Sequence, residues 1–286
     1  MRHEDLADAD CGIAQALGVV GDWQTLLVVR ECAAGVTRFD ALHHELGISR
    51  RALAEKLARL VEHGILERRP YSDRPPRHDY VLTAKGEGLL PVLVALQEFG
   101  TRHVMGDGSV SAAPATAEVQ RLERLTGTRL PPLELVDHHD GTVRLPADRP
   151  TVLFFFPGAW PPDAHGYPPG WGDIPGARGC TLECLSYARA HDDFTAAGVQ
   201  VVGVSTQRPD QLAGFAEHAG LPYLLASDQD GRAATTLRLP VFRTAGVDRL
   251  KRVSLLVGED GVVRHVQAPV TDPAAAVDEM LALVSR

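Results

Sequence analysis

The segment RGCTLECLSYARAHDDFTAAGVQVVGVS, residues 178–205, holds a cysteine, a helix and a strand in one continuous run. CTLECLSYARAHDDFTAAG reads as helix and VQVVGVS, 199–205, as strand. Upstream, PTVLFFFP, 150–157, is an unbroken apolar run, the pattern of a strand covered on both faces. Downstream come RPDQLAGFAEHAG as a helix and LPYLLASD after it. RVSLLVGEDGVVRHVQ follows as a hairpin turning at Glu259-Asp260-Gly261, and AAAVDEMLALVS as a final helix. Such alternation implies an α/β unit, a central sheet with helices on both faces.

Cys180 falls where the loop after the first strand meets the next helix. Unpaired backbone N–H groups and the helix dipole favour a thiolate there, and Arg178 or another arginine would add to the effect. A lowered pKa makes the sulfur a nucleophile. Cys184 lies four residues on, and the chain has only four cysteines in all. Two other readings of the pair stand beside this one. A zinc site would draw on His165 and His191, and two core cysteines would need no further partner. The intervening loop AWPPDAHGYPPGWGD, 159–173, is either a packed surface lid or a cover that sets access to Cys180. Trp160, Tyr167 and Trp171 are the candidates to line that access. No glycine-rich phosphate loop and no Ser/His/Asp arrangement occurs in usable context.

The first hundred residues have another character. CGIAQALGVV, 11–20, and WQTLLVVRECAAG, 23–35, are apolar enough for two largely buried helices, with Gly35 as a stop. RFDALHHELG, 38–47, places Phe39, Leu42, His43 and Leu46 at helical spacing and ends at Gly47. Ser49 then caps SRRALAEKLARLVEHG, whose inward stripe is Leu53, Leu57, Leu60 and Val61. Helix, glycine turn and second helix is the grammar of a helix-turn-helix. ILERR, 65–69, and HDYVLT, 78–83, read as strands around PYSDRPPR, a wing. Thr83 caps a last helix, 84–103, whose exposed apolar face needs a partner.

Charge placement points to DNA. From Ser49 to Lys85 there are nine Lys/Arg against five Asp/Glu, in a chain of net charge −8. Ser49, Arg50, Arg51 and Lys56 belong to the expected recognition helix, and Arg74 and Arg77 to the wing, near the path of the phosphates. The acidic total argues against non-specific nucleic-acid binding by the whole chain, but a local basic face remains compatible with it.

At 286 residues, two domains are expected. Residues 1–105 form the winged helix, 106–127 a linker of small and polar residues with a short helix (EVQRLERL), and 128–286 the α/β domain. No apolar run is long enough to span a membrane, and MRHEDLADAD lacks the apolar core of a signal peptide. The expected compartment is the cytoplasm, where cysteines rest reduced and a disulfide is transient or sensory.

Two resemblances sharpen these readings. The order Cys11, GDWQTLLVVREC, RFDALHHELGISRRALAEKLARLVEHGILERR and YVLTAKGEGLLPVLVAL resembles HxlR-type transcriptional regulators over about 100 residues. That implies a homodimer joined through its terminal helices, and marks Cys11 as a candidate redox-sensing thiol. Residues 128–286 resemble the peroxiredoxins of the AhpC/TSA superfamily, bacterioferritin-comigratory-protein branch, and so imply a thioredoxin-like fold. By that resemblance Cys180 is the peroxidatic cysteine, and Arg252 steadies the thiolate and the peroxide. A sulfenic acid forms and a second thiol condenses with it to a disulfide. Two departures stand out. Ala177 occupies the position of a usual threonine, which removes a hydroxyl. The resolving position five residues after the thiol is Leu185, with the cysteine at 184 instead.

The expected function is a redox-sensing transcriptional regulator, bound to double-stranded DNA as a homodimer. Cys180 is oxidised by hydrogen peroxide or another small oxidant, and a disulfide with Cys184, or with Cys11 or Cys32, alters DNA binding. The alternative is an active thiol peroxidase, reduced by a thioredoxin-like donor, with an appended DNA-binding domain. A third reading is a redox-independent regulator with a degenerate second domain. No cofactor, metal or membrane partner is expected.

Overall fold

The computed structural model describes residues 10–73, 76–162 and 166–284. Arg74 of the expected wing and His165 of the zinc reading lie outside them. The chain divides into two units, Met1–Leu93 and Val94–Arg286.

The first unit begins with α1 (Gly12–Val20) and α2 (Trp23–Ala33), where Asp22 accepts the Gln24 N–H at 2.7 Å as the N-cap of α2. Next come α3 (Phe39–Leu46) and α4 (Arg50–Glu62). Gly47 ends α3 in the left-handed region, φ 61°, a conformation glycine adopts without steric cost. Ser49 Oγ accepts the Ala52 N–H at 3.2 Å, so the expected cap of α4 forms. Leu42, Leu53, Leu57 and Leu60 face one core with Val28 and Val29 of α2. β1 (Leu66–Asp73) and β2 (Pro76–Leu82) pair antiparallel as the wing. The single helix expected over 84–103 is broken. Thr83 caps a short α5 (Ala84–Glu87), and α6 (Leu90–Phe99) starts afresh before a π-helical turn at Gly100–Val104. Gly86, Gly88 and Pro91 account for the break, since glycine and proline both interrupt the helical hydrogen-bond ladder.

The second unit starts at Val94, earlier than the boundary at 105 read from the sequence. Val94 joins its core, Gln97 Nε2 donates to Leu239 O at 2.7 Å, and Glu98 Oε1 accepts the Arg243 N–H at 3.3 Å. The 106–127 stretch is packed as well. Ala112 is buried and its N–H donates to Pro175 O at 2.9 Å, and α7 spans Thr116–Glu123. Small side chains let this backbone lie close against the cysteine loop. Gly176, φ 79°, has no room for a Cβ, which would stand 2.9 Å from Ala113 N.

β3 (Leu133–Asp137) and β4 (Thr142–Leu145) form a hairpin ahead of β5 (Thr151–Phe155). Then follow α8 (Cys180–Arg189), α9 (His191–Ala196), β6 (Gln200–Ser205), α10 (Pro209–Ala219), β7 (Leu224–Ser227) and α11 (Arg232–Thr236). A second hairpin, β8 (Val241–Thr244) and β9 (Val247–Leu250), precedes β10 (Val253–Val257), β11 (Val263–Gln267) and α12 (Pro273–Val284). The seven-stranded sheet has the order β11-β10-β5-β6-β7-β3-β4, with β5, β6 and β7 parallel and β10 antiparallel to β5. The expected hairpin over 252–267 is β10–β11, and its turn carries Gly261 at φ 77°. Residues of β5 alternate between two cores. Leu153 and Phe155 face one with Leu122 of α7, while Val152, Phe154 and Phe156 face the other with Tyr187, Phe215 and both Cys180 and Cys184. This double cover is why the strand reads as an unbroken apolar run.

Candidate functional site

Cys180 is the first residue of α8, behind Gly179 at φ 104°. The two positive-φ glycines, Gly176 and Gly179, bend the loop so that its carbonyls turn inward. Arg252, at the foot of β10, meets them. Its Nη2 donates to Cys180 Sγ at 3.0 Å and to Ala177 O at 3.2 Å, and its Nη1 donates to Gly176 O at 2.6 Å. Its Nε donates to Glu183 Oε2 at 2.9 Å, and both side chains are buried. The thiol in turn donates to Ala177 O at 3.4 Å. The arginine expected to serve the thiol is therefore Arg252, while Arg178 is exposed.

The expectation of a depressed Cys180 pKa is corrected. Burial pushes the thiol above its ordinary value; Arg252 pulls it back, and the Glu183 charge pushes it up again. Burial likewise lifts the Glu183 carboxyl to about 7 against the pull of Arg252. Cys184 is fully buried one turn along, with its thiol raised well above the ordinary value by burial and by the charges of Glu183 and Cys180. All four cysteines are free. Cys11 is exposed, and Cys32 is buried, which lifts its thiol to about 12 with help from the Glu31 charge.

The loop ahead of α8 covers it with aromatic rings. Trp160 meets Tyr167 at 4.8 Å and Trp171 at 5.6 Å between centroids, and Tyr167 Oη lies 3.3 Å from Thr181 Oγ1, on the residue after the thiol. The three rings expected to line the access pack against one another. Among the described residues no group of three or more His, Cys, Asp or Glu is placed to hold a metal ion, and His191 turns instead to Thr195 and Tyr223. Sequence reasoning assigned no role to Glu183, although it lies inside the decisive segment. An acid one turn after a buried thiol was the available signal.

In the first unit, Ser49 opens α4 as a cap. Arg51 is exposed and pairs with Glu55 at 3.0 Å, and Arg50 pairs with Asp40 at 2.9 Å and lies over Phe39. Arg77 is exposed on β2. Lys56 differs from expectation. Its Nζ donates to Asp22 Oδ2, so it ties α4 to the cap of α2 within the unit and is not held out from the surface.

These two constellations define the class. A winged helix-turn-helix unit is followed by a thioredoxin-like α/β unit with a buried cysteine at a helix start, bridged by an arginine. The redoxin family model matches residues 125–283, more than half of the chain, and the HxlR-like helix-turn-helix model matches residues 19–107. The chain belongs to the redoxin family and carries an HxlR-like helix-turn-helix domain in front. An uncharacterized HTH-type transcriptional regulator of Synechocystis is 36% identical over 92 residues, 32% of this chain and 68% of that one. A similar regulator of Mycobacterium tuberculosis is 42% identical over 92 residues, 32% of this chain and 58% of that protein. Peroxiredoxin Bcp of Escherichia coli is 33% identical over 91 residues, 31% of this chain and 58% of that protein. The chain thus spans little more than half the length of the mycobacterial and Escherichia coli relatives. Among solved structures, peroxidoxin BcpB from Mycobacterium tuberculosis covers 56% of this chain and 96% of its own, at 27% identity and a TM-score of 0.47. No single described helix is long and apolar enough to cross a membrane.

Proposed function

We propose that the chain is a transcriptional regulator that reads an oxidant through Cys180. One observation carries this reading: the loop that Arg252 ties to Cys180 is the loop on which the segment after α6 docks, through Ala112 N–H to Pro175 O at 2.9 Å. A change of charge or bonding at the sulfur therefore bears directly on chain leading back to the DNA-binding unit. In the proposed step the sulfur attacks a peroxide oxygen, the O–O bond breaks, and Cys180 becomes a sulfenic acid while water or an alcohol leaves. The Cys184 thiol then displaces the hydroxyl as water and a disulfide forms. Side chains at i and i+4 on a helix keep their Cβ atoms about 5–6 Å apart, whereas a disulfide needs about 3.5–4.5 Å. The first turn of α8 must loosen, and that gives the two states the differential stability a switch requires.

The regulator acts as a homodimer in a reducing, cytoplasmic setting. Val92, Leu96 and Phe99 follow one another at i, i+4 and i+7 along α6 and are each about half exposed, and on α1 Ile13 and Leu17, four residues apart, are both exposed. Such stripes support self-association. The test is DNA binding with and without hydrogen peroxide, on DNA selected from a random pool, for wild type, Cys180→Ser, Cys184→Ser and Cys11→Ser. Oxidation is expected to change wild-type affinity about tenfold or more, with no change in Cys180→Ser. An equal response in Cys180→Ser overturns the reading. The thiol peroxidase reading is favoured by the Arg252–Cys180 contact, and sustained peroxide consumption with a thioredoxin-type donor would establish it.

A further inference from the structure

Gln207 lies just past the end of β6 and is buried, and its side-chain amide is matched on both sides by one residue. Oε1 accepts the Ala159 N–H at 2.8 Å, and Nε2 donates to Ala159 O at 2.9 Å. Burying an amide is costly unless it is hydrogen-bonded, and this one exchanges both bonds with a peptide as a paired strand would. The clamp is itself anchored. Ser227 Oγ, at the end of β7, donates to Gln207 O at 2.7 Å. The Gln207 N–H donates to Ser205 Oγ, at the end of β6, at 3.3 Å. The chain beyond β5 is thus tied to the ends of β6 and β7 through one side chain. Open α/β sheets place their sites beyond these carboxyl ends of the strands.

The clamped backbone is the one that meets the thiol. Gly158, next to Ala159, hydrogen-bonds Cys180 through its backbone. Only glycine fits there, since a Cβ would stand 2.6 Å from the Trp160 ring and 3.2 Å from Gln207 Oε1. Ala159, Trp160, Ala177 and Cys180 share one core. Ala177, where a hydroxyl was expected, offers the sulfur only a carbonyl, which accepts from the thiol at 3.4 Å. Arg252 Nη2 donates to the sulfur at 3.0 Å from the other side.

We propose that Gln207 is a positioning residue for the reaction at Cys180: by clamping Ala159 it holds the Gly158 N–H toward the sulfur, in the donor role that Ala177 leaves open. The proposal rests on Cys180 being the peroxide-reactive thiol. Gln207 acts through the Gly158 backbone and not by contact with the sulfur. The N–H stabilises the thiolate before it attacks the peroxide oxygen, and so raises the fraction of the nucleophilic form.

Gln207→Met keeps the length of the side chain and removes both bonds to Ala159. The pH dependence of iodoacetamide alkylation is read at Cys180 by mass spectrometry of the reduced full chain, beside the rate of oxidation by hydrogen peroxide. The variant is expected to show a higher apparent thiol pKa and about tenfold slower alkylation at neutral pH, with slower oxidation to match. A merely structural role predicts the opposite sign. Loosening the site would admit water to a sulfur whose pKa burial raises, and the thiol pKa would fall. An unchanged or lowered value in Gln207→Met therefore overturns the proposal. If wild-type Cys180 is alkylated but not oxidised by peroxide, the underlying reading fails, while a slow Gln207→Met still upholds the clamp on the thiolate. Should Gln207→Met not fold, the Gly158 amide proton decides in wild type. Its NMR shift is expected to titrate with the midpoint of Cys180 and to stay flat in Cys180→Ser. A Gly158 amide that does not follow the thiol overturns the proposal.

Discussion

Arg252 serves two acids at once, and the balance between them sets the reactivity of the thiol. Glu183 and Cys180 both lie within hydrogen-bond reach of one guanidinium in a site closed to water. While Glu183 is protonated, the arginine charge is free for the thiolate; as Glu183 ionises near pH 7, it opposes the thiolate. Glu183→Gln keeps an oxygen for Arg252 Nε and cannot ionise. Its apparent thiol pKa, read from the pH dependence of Cys180 alkylation, is expected to lie below that of wild type. An unchanged or higher value would remove Glu183 from this balance. The same shift has a consequence for stability. A carboxyl whose folded-state pKa stands near 7 rather than 4.5 contributes stability below about pH 4.5 and loses it as pH rises through 7. The melting temperature of Glu183→Gln relative to wild type is therefore expected to rise between pH 5 and pH 8. Cys180 was legible in the sequence because a thiol at a helix start is a local pattern, and Arg252 was legible only through the resemblance to peroxiredoxins. Glu183 owes its role to burial, and its place one turn after the thiol was the one signal the sequence offered.

At the scale of the element, α8 and the loop before it form the part that moves in the proposed switch. Glu183 N–H to Gly179 O, 2.9 Å, is among the bonds of the first turn that a Cys180–Cys184 disulfide must break. When that turn opens, the Pro175–Ala177 carbonyls lose their anchors and Ala112 loses its acceptor. Hydrogen exchange on the peroxide-treated protein is expected to rise about tenfold or more at Ala112 and through the first turn of α8. Cys184→Ser, which stops at the sulfenic acid, should keep most of its protection. Protection at Ala112 that survives disulfide formation would disconnect the loop from the segment after α6. The major elements were legible: β5 follows from an apolar run, and the helix expected over 180–198 is present, though broken at Ala190 into α8 and α9. The β3–β4 and β8–β9 hairpins were not, being short strands. The stretch 106–117 reads as a linker by composition, yet Ala112 and Ala113 lie close against Gly176. Small residues mark close packing as well as freedom, and composition alone does not separate the two.

At the scale of the whole molecule, DNA affinity in an acidic chain has to come from a few well-placed cations. Each protein cation that displaces a counterion from a phosphate contributes about −0.9 to the slope of log K against log salt. In a homodimer every such residue counts twice. Arg77 is exposed on the wing strand and meets the conditions for a phosphate contact. Arg77→Ala is expected to weaken binding across all sequences and to flatten the slope by about two. Lys56 is the contrasting case, since burial would raise the Asp22 carboxyl and the hydrogen bonds from Lys56 and Gln24 hold it below its ordinary value instead. Lys56→Met should therefore leave the salt slope unchanged and lower the melting temperature, because it strips the partner from the N-cap of α2. The two variants remove the same formal charge, so a non-specific effect of net charge would change both slopes alike. Titration of each against one selected DNA fragment between 50 and 200 mM salt, a range over which phosphate contacts are strongly expressed, separates the outcomes. A flattened slope in Lys56→Met would return that residue to the DNA face, and an unaltered slope in Arg77→Ala would take the wing off the phosphates.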